Sequence, residues 1–288
     1  MKGFVEWLVA RRYRMVLAAT ALALLPPLGI VAQGVVVLAV LMRGLGEGIL
    51  IAVLASVLML IPAAATGAAL GPLLLVAAAN WLPALLLAAV LERSRSLSLT
   101  TQTGLVAICA LVILFYAIGS PAESWYGILQ QYVAAMGQRI GNVPDEVLVA
   151  SSRIMTGIVG ALTLLSSVAA VYIARWWQSL MTRPGAFGEE FRALRMGWVL
   201  GVVAGVVFIA AAVTRFALLE NLTLVLVSGF MLHGLAVMHS ISIAGLGSFW
   251  LAAVYILLIV AMPFAELALA GLGFVDNWFN LRARLPRR

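Results

Sequence analysis

Few side chains able to do chemistry stand inside the long apolar stretches of this sequence: Gln33, Asn80 with Trp81 beside it, His233, His239 and Glu266. An ionised group at the centre of a membrane helix costs about 2.5–3.5 kcal/mol, so intramembrane ionisable residues are functional candidates by default. Glu266 is therefore expected to be protonated, paired or turned to a wet cavity. With His233 it would make a proton relay; the structural alternative has His233 bonded to a carbonyl of a neighbouring helix. His233 and His239 are six residues apart, on roughly opposite sides of a helix, with no cysteine or acidic ligand nearby, so no metal site is expected. Gln33, Asn80 and Trp81 are the polar contacts a mainly apolar binding site needs. No Gly-x-Ser-x-Gly elbow, His-Glu-x-x-His pair or phosphate-loop Lys-Ser/Thr occurs, so neither catalysis nor a nucleotide cofactor is expected.

The elements that must hold these residues follow from composition. Of 288 residues, 64% are hydrophobic and 10% charged, and the mean hydropathy is +1.12. Soluble domains are nearer half apolar and a quarter charged. Only a bilayer accommodates so much apolar surface, and there a helical bundle satisfies the backbone. One cysteine, Cys109, excludes a disulfide scaffold and reads as core packing.

Nine apolar segments are expected: Met15–Leu25, Leu28–Met42, Leu45–Thr66, Pro72–Leu91, Thr101–Gly119, Ile154–Trp177, Met196–Val213, Asn221–Ser240 and Phe249–Phe274. A crossing takes about 20 residues, so the first two are short, and Pro26-Pro27 separates them. The fold class is an all-α polytopic bundle of eight or nine spans. Pro263 and Gly271–Gly273 interrupt the ninth segment. Between residues 121 and 149, Trp125, Tyr126, Leu129, Tyr132 and Val133 fall at helical spacing. They mark either an external interfacial helix or an ordered loop on the bundle.

The formal charge is +7. Basic residues gather on cytoplasmic flanks, which accounts for the charge without nucleic acid. Arg11, Arg12 and Arg14, then Arg93 and Arg95, then Arg175, Arg183, Arg192 and Arg195, then Arg282, Arg284, Arg287 and Arg288 mark such flanks. In the segment from Gly119 to Arg153, Arg139 and Arg153 are balanced by acids, which places it outside. The expected location is the cytoplasmic membrane, with the N-terminus cytoplasmic as an uncleaved signal anchor. Five apolar segments follow Arg95, which leaves the basic C-terminus on the wrong side unless one of them fails to cross.

Small residues at four-residue spacing let helices approach closely in lipid. Gly197, Gly201 and Gly205 form one such face; Gly67 and Gly71, and Ala19 and Ala23, repeat the spacing. Whether the partner helix belongs to this chain is open. Gly44 and Gly48 close a tight turn across which Arg43 and Glu47 can pair. Near the C-terminus, Asp276 is placed to pair with Arg282 or Arg284, and Trp278 and Phe279 suit the interface.

Two resemblances rest on these residues. His233-Gly234-Leu235-Ala236-Val237-Met238-His239 together with Gly271-Leu272-Gly273-Phe274-Val275-Asp276-Asn277-Trp278-Phe279-Asn280-Leu281-Arg282 resembles the YybS-like family of bacterial membrane proteins, which carries no assigned activity. The first spans, with Val36 to Met42 and Gly44-Leu45-Gly46-Glu47-Gly48, are similar to the S components of energy-coupling-factor vitamin transporters and to the cell-shape protein family MreD. The S-component resemblance implies a six-helix binding region over residues 1–178. It also implies Ala19 and Ala23 as a face for an energy-coupling membrane partner, and a small apolar or amphipathic ligand near Gln33, Asn80 and Trp81. Residues 179–195 would then be a cytoplasmic loop and 196–288 a set of C-terminal spans with a basic tail. The MreD resemblance implies a scaffold for envelope or division proteins, with the Gly197–Gly205 face and the Met181–Leu194 loop as contact surfaces. A third reading is a proton-coupled carrier using His233 and Glu266.

Overall fold

The computed structural model describes residues 1–137, 141 and 143–284; Arg139, Arg287 and Arg288 lie outside them. Among the described residues every regular element is helical. Six helices are long and apolar enough to cross a bilayer: Leu45–Pro62, Leu70–Ser94, Leu97–Ile118, Asp145–Thr182, Gly197–Thr214 and Ala217–Gly245. The protein is thus an all-helical membrane protein. The chain divides into two compact units that interleave in sequence, residues 1–104 with 165–194 and residues 105–164 with 195–288.

The first unit opens with α1 (Lys2–Val9), α2 (Arg12–Ala23) and α3 (Gly29–Arg43). A 3-10 turn over Pro26–Leu28 parts α2 from α3, as the proline pair requires. At 1.5 Å per residue they are about 18 and 22 Å long, each short of the ~30 Å hydrocarbon core. Arg43 at the end of α3 donates to the Val9 carbonyl just before α2, so the two form a hairpin. Every residue from Ala32 to Val40 is buried, the mark of a helix surrounded by others. Its neighbours are α2, α4 (Leu45–Ala65) and α5 (Leu70–Ser94). Gly44 turns the chain from α3 into α4 at φ +93, and a Cβ on Gly48 would overlap the Val40 side chain. Ala19 is fully buried, and α2 packs on α3 and α4. The face that Ala19 would offer a partner chain is therefore covered within this one; Ala23 is half-buried. Gly67 sits at φ +73 in the turn before α5 and Gly71 in the first turn of α5, and neither would bring a Cβ within 4 Å of another group, so this pair contacts no helix of this chain among the described residues.

Two of the three unit boundaries fall within α6 (Leu97–Ile118) and α8 (Asp145–Thr182). The segment expected as a loop from Met181 to Leu194 is ordered: α8 runs on to Thr182 and a short helix, α9 (Ala186–Arg192), follows. Phe187 and Phe191 stack on one another and pack against Tyr172. Arg175 holds Glu190 through two donors. These contacts bury Phe191 and Leu194, which a free loop could not do.

In the second unit, α7 (Pro121–Met136) fulfils the helical reading of its aromatics. Trp125 Nε1 donates to Thr156 Oγ1 of α8 at 2.9 Å, so the helix is tied back to the bundle. The Tyr126 phenol donates to Asp145 Oδ1 at 2.5 Å, and that carboxylate pushes the phenol's pKa up. Asn221, fully buried on α11 (Ala217–Ile241), stitches three helices. Its amide donates to Tyr116 Oη and the Arg153 carbonyl and accepts from the Gly157 N–H.

The expected ninth span is two helices. After α10 (Gly197–Thr214) and α11, a π-turn at Ser242–Leu246 leads into α12 (Gly247–Val260). Helix geometry breaks at Ala261 (φ −126, ψ 45), and α13 (Met262–Phe279) follows with Pro263 in its first turn. Proline is at home there because the first N–H groups of a helix lack partners anyway. Gly271–Gly273 do not interrupt α13. Contacts of Ser228 with Glu266 and of His233 with Asp276 set α13 parallel to α11, so α12 is the return leg. Arg195 Nη2 donates to Asn280 Oδ1 at 2.6 Å. The Arg282 segment thus lies at the same end of this unit as Arg195, as a shared basic flank would require.

Candidate functional site

In the first unit the structure brings the three residues singled out for binding onto adjoining contacts. Gln33 Nε2 on α3 donates to Asn80 Oδ1 on α5 at 2.8 Å. Gln33 is 5% exposed and its Oε1 has no partner among the described residues; a buried acceptor left unpaired costs about 1–3 kcal/mol. One residue on, Trp81 Nε1 donates to Ser56 Oγ on α4 at 3.0 Å. Ser56 shows in the sequence only as a lone hydroxyl in an apolar run. Trp81 and Ser56 both line a cleft of about 650 Å³ between α4 and α5, otherwise walled by apolar side chains such as Val53, Leu60 and Leu82, with Arg93 at one end. Gln33 and Asn80 do not line it.

At the end of this unit where α2 and α4 begin, Glu47 Oε1 and Oε2 accept from Arg12 Nε and Nη2, both at 2.8 Å. Arg43 Nη1 lies 3.3 Å from the same carboxylate. The Arg43–Glu47 pair expected from the turn is therefore part of a three-residue clamp. It closes the helix ends next to Gly44 and raises the pKa of Arg12 through its hydrogen bonds to Glu47.

The second unit holds the charged cluster. Helices α11 and α13 touch backbone to backbone: a Cβ on Gly234 would overlap the Leu269 carbonyl, and one on Gly273 the Phe230 carbonyl. The absence of side chains at these two positions permits the approach. Beside it His233, fully buried, sets Nε2 3.0 Å from Asp276 Oδ2. Arg282 Nε reaches the same oxygen at 3.0 Å and Nη2 at 2.9 Å, while Nη2 is also 3.0 Å from His233 Nε2. A proton on Nε2 suits Asp276 and opposes Arg282; a bare Nε2 does the reverse. Nδ1 is buried with no partner among the described residues. Burial lowers the Arg282 pKa while Asp276 opposes the shift.

The pairing differs from the expected relay. His233 is held by Asp276 and Arg282, and Glu266 Oε1 accepts from Ser228 Oγ at 2.8 Å. His233 and Glu266 sit on one seam with separate partners, because α13 runs parallel to α11 and Asp276 falls level with His233. The carbonyl alternative for His233 also fails, since its partner is a carboxylate. The expected Asp276–Arg282 pair forms. His239 belongs elsewhere: Nδ1 meets the Leu235 carbonyl at 2.8 Å, and its ring stands edge-on to Tyr255 of α12 at 5.9 Å.

The glycine face of α10 finds its partner in the same chain. A Cβ on Gly201 would meet Asn277 Nδ2 at 2.5 Å and Trp278 at 3.1 Å, and one on Gly205 would meet Phe274 at 3.5 Å. Gly197 adopts φ +79, and its carbonyl accepts from Asn277 Nδ2 at 2.9 Å. Trp278 is 46% exposed, with one edge on α10 and the remainder outward, as an interfacial ring would lie. Among the described residues no three His, Cys, Asp or Glu side chains converge as a metal site would require. Compared with known protein families, curated proteins and solved structures, the chain matches none.

Proposed function

We propose that this protein is a membrane-embedded module that binds a small apolar or amphipathic molecule, as the substrate-binding component of a transport system does, with any energy-supplying partner on another chain. The observation that carries the reading is the α4–α5 cleft, whose apolar walls hold the single Trp81–Ser56 polar pair. A pocket of about 300–1,000 Å³ with few, placed polar groups is the usual form of a small-molecule site. The Gln33–Asn80 bond supports the same wall from the α3 side by fixing α5 against α3. The likeness of the first spans to S components points the same way, and the YybS-like resemblance is compatible with it.

The scaffold reading has less support, because Gly201 is already covered by Asn277 and Trp278 and the Met181–Leu194 segment by its own aromatic packing. The carrier reading has less too, because His233 and Glu266 are held apart by different partners. To test the binding reading, the full chain is purified in mild detergent and its solvent extract analysed by mass spectrometry. The Ala78→Trp variant, altered in the cleft wall, is run alongside. One compound at near-equal stoichiometry, lost in the variant, is expected; extracts that do not differ would refute it.

A further inference from the structure

The second unit contains another cleft, of about 660 Å³, lined by α8, α10, α11 and α13. From its apolar lining and the charge at its mouth we infer that it holds one acyl chain of a membrane lipid whose headgroup is anionic. Phe274 closes the cleft, packed on Phe208 at 5.9 Å and on Phe230 at 5.4 Å. The other end carries Arg215 and Glu220. Along α11 the lining runs from Glu220 to Phe230, ten residues or about 15 Å at helical rise. That is half of a ~30 Å hydrocarbon core, the depth of one leaflet.

The mouth selects charge. Glu220 is engaged with Arg153 at 3.3 Å, and Arg153 Nη2 also reaches the Arg215 carbonyl at 3.4 Å. The Arg215 guanidinium has no hydrogen bond or ion pair among the described residues, and the residue is exposed. It directly follows the span Gly197–Thr214, where a long basic side chain reaches the headgroup layer. Two cations and one anion leave the mouth positive, complementary to a phosphate-bearing headgroup with net negative charge. The cleft wall includes Gly271, at which a Cβ would meet nothing within 4 Å. The space beside that glycine is the room the chain occupies.

The full protein, delipidated in neutral detergent, is titrated with phosphatidylglycerol or phosphatidylcholine of identical chains, and bound lipid is counted by native mass spectrometry. The first phosphatidylglycerol binds about fivefold more tightly than phosphatidylcholine, the factor for one basic residue near an anionic surface. Arg215→Gln brings the ratio near one. Gly271→Leu fills the cleft and removes the first-bound lipid of either kind, with an unchanged melting profile as the check on folding. If that variant does not fold, Ala212→Leu, on the α10 wall, is read the same way. Equal binding of the two lipids to the unmodified protein overturns the inference. So does a first-bound lipid that survives the cleft-filling change, or a non-lipid compound recovered from the cleft.

Discussion

Replacing Asp276 by alanine strikes the α11–α13 seam where it is most tightly cross-linked. The carboxylate Oδ2 accepts from Arg282 Nε and Nη2 and lies 3.0 Å from His233 Nε2, and Oδ1 faces the Arg282 backbone N–H at 3.3 Å. Removing one partner of a buried ion pair costs about 3–5 kcal/mol because the other charge stays buried and unpaired. Here the Arg282 side chain is 9% exposed and Asp276 only 1%. The guanidinium, at the edge of the cluster, can swing toward solvent, which puts the expected loss near the lower end, about 3 kcal/mol. That is roughly a hundredfold in the unfolding equilibrium. Arg282→Ala should cost at least as much, about 3–5 kcal/mol, because the Asp276 carboxylate, only 1% exposed, is left buried without its cation. The double variant should cost less than the sum of the two, since both single changes break the same bonds. The assay is reversible unfolding in mixed micelles followed by tryptophan fluorescence. An Asp276→Ala protein within 0.5 kcal/mol of the parent, or strictly additive losses, would refute the reasoning.

Three further outcomes follow from the packing. Gly234→Ala places a Cβ on the Leu269 carbonyl, and as backbone cannot yield as a side chain does, about 1–3 kcal/mol or more is lost in the same unfolding assay. Gly201→Leu displaces Asn277 and Trp278, so it should lower the melting temperature and shift Trp278 emission while leaving co-purifying proteins unchanged; an altered set of partners with intact stability would return that face to an intermolecular role. In a Cys109→Ser background, single cysteines at Arg195 and Asn280 should react with an impermeant thiol reagent from the same side of the membrane, and one at Leu218 from the opposite side; labelling of 280 with 218 would contradict the α12–α13 hairpin.

The parts legible in the sequence are those whose causes are local. Pro26-Pro27 forces a helix break wherever the chain goes, and Gly44 with Arg43 and Glu47 makes a turn from neighbours four residues apart. The Gln33–Asn80 bond is readable for another reason: polar side chains are so few in these helices that those present tend to meet, whereas Trp81 meets Ser56 and stands on the cleft without the other two. The break at Ala261 was harder. Hydropathy is continuous across it, and Pro263 signals a helix start as readily as a kink. Missing that break hides the parallel course of α13, and with it the pairing of His233 with Asp276, 43 residues away. In the sequence Asn221 is only the first residue of an apolar segment; that it links Tyr116, Arg153 and Gly157 is a property of the assembled helices alone.

The binding claim rests on what fills the space between α4 and α5. A photoreactive amino acid at Leu85, 8% exposed in the wall of that cleft one turn after Trp81, can be irradiated in intact cells and the adduct weighed on the purified chain. One discrete added mass, absent when the same group is placed at Val106 on the 52%-exposed outer face of α6, is the result expected. The mixed masses of bulk membrane lipid at both positions would contradict it.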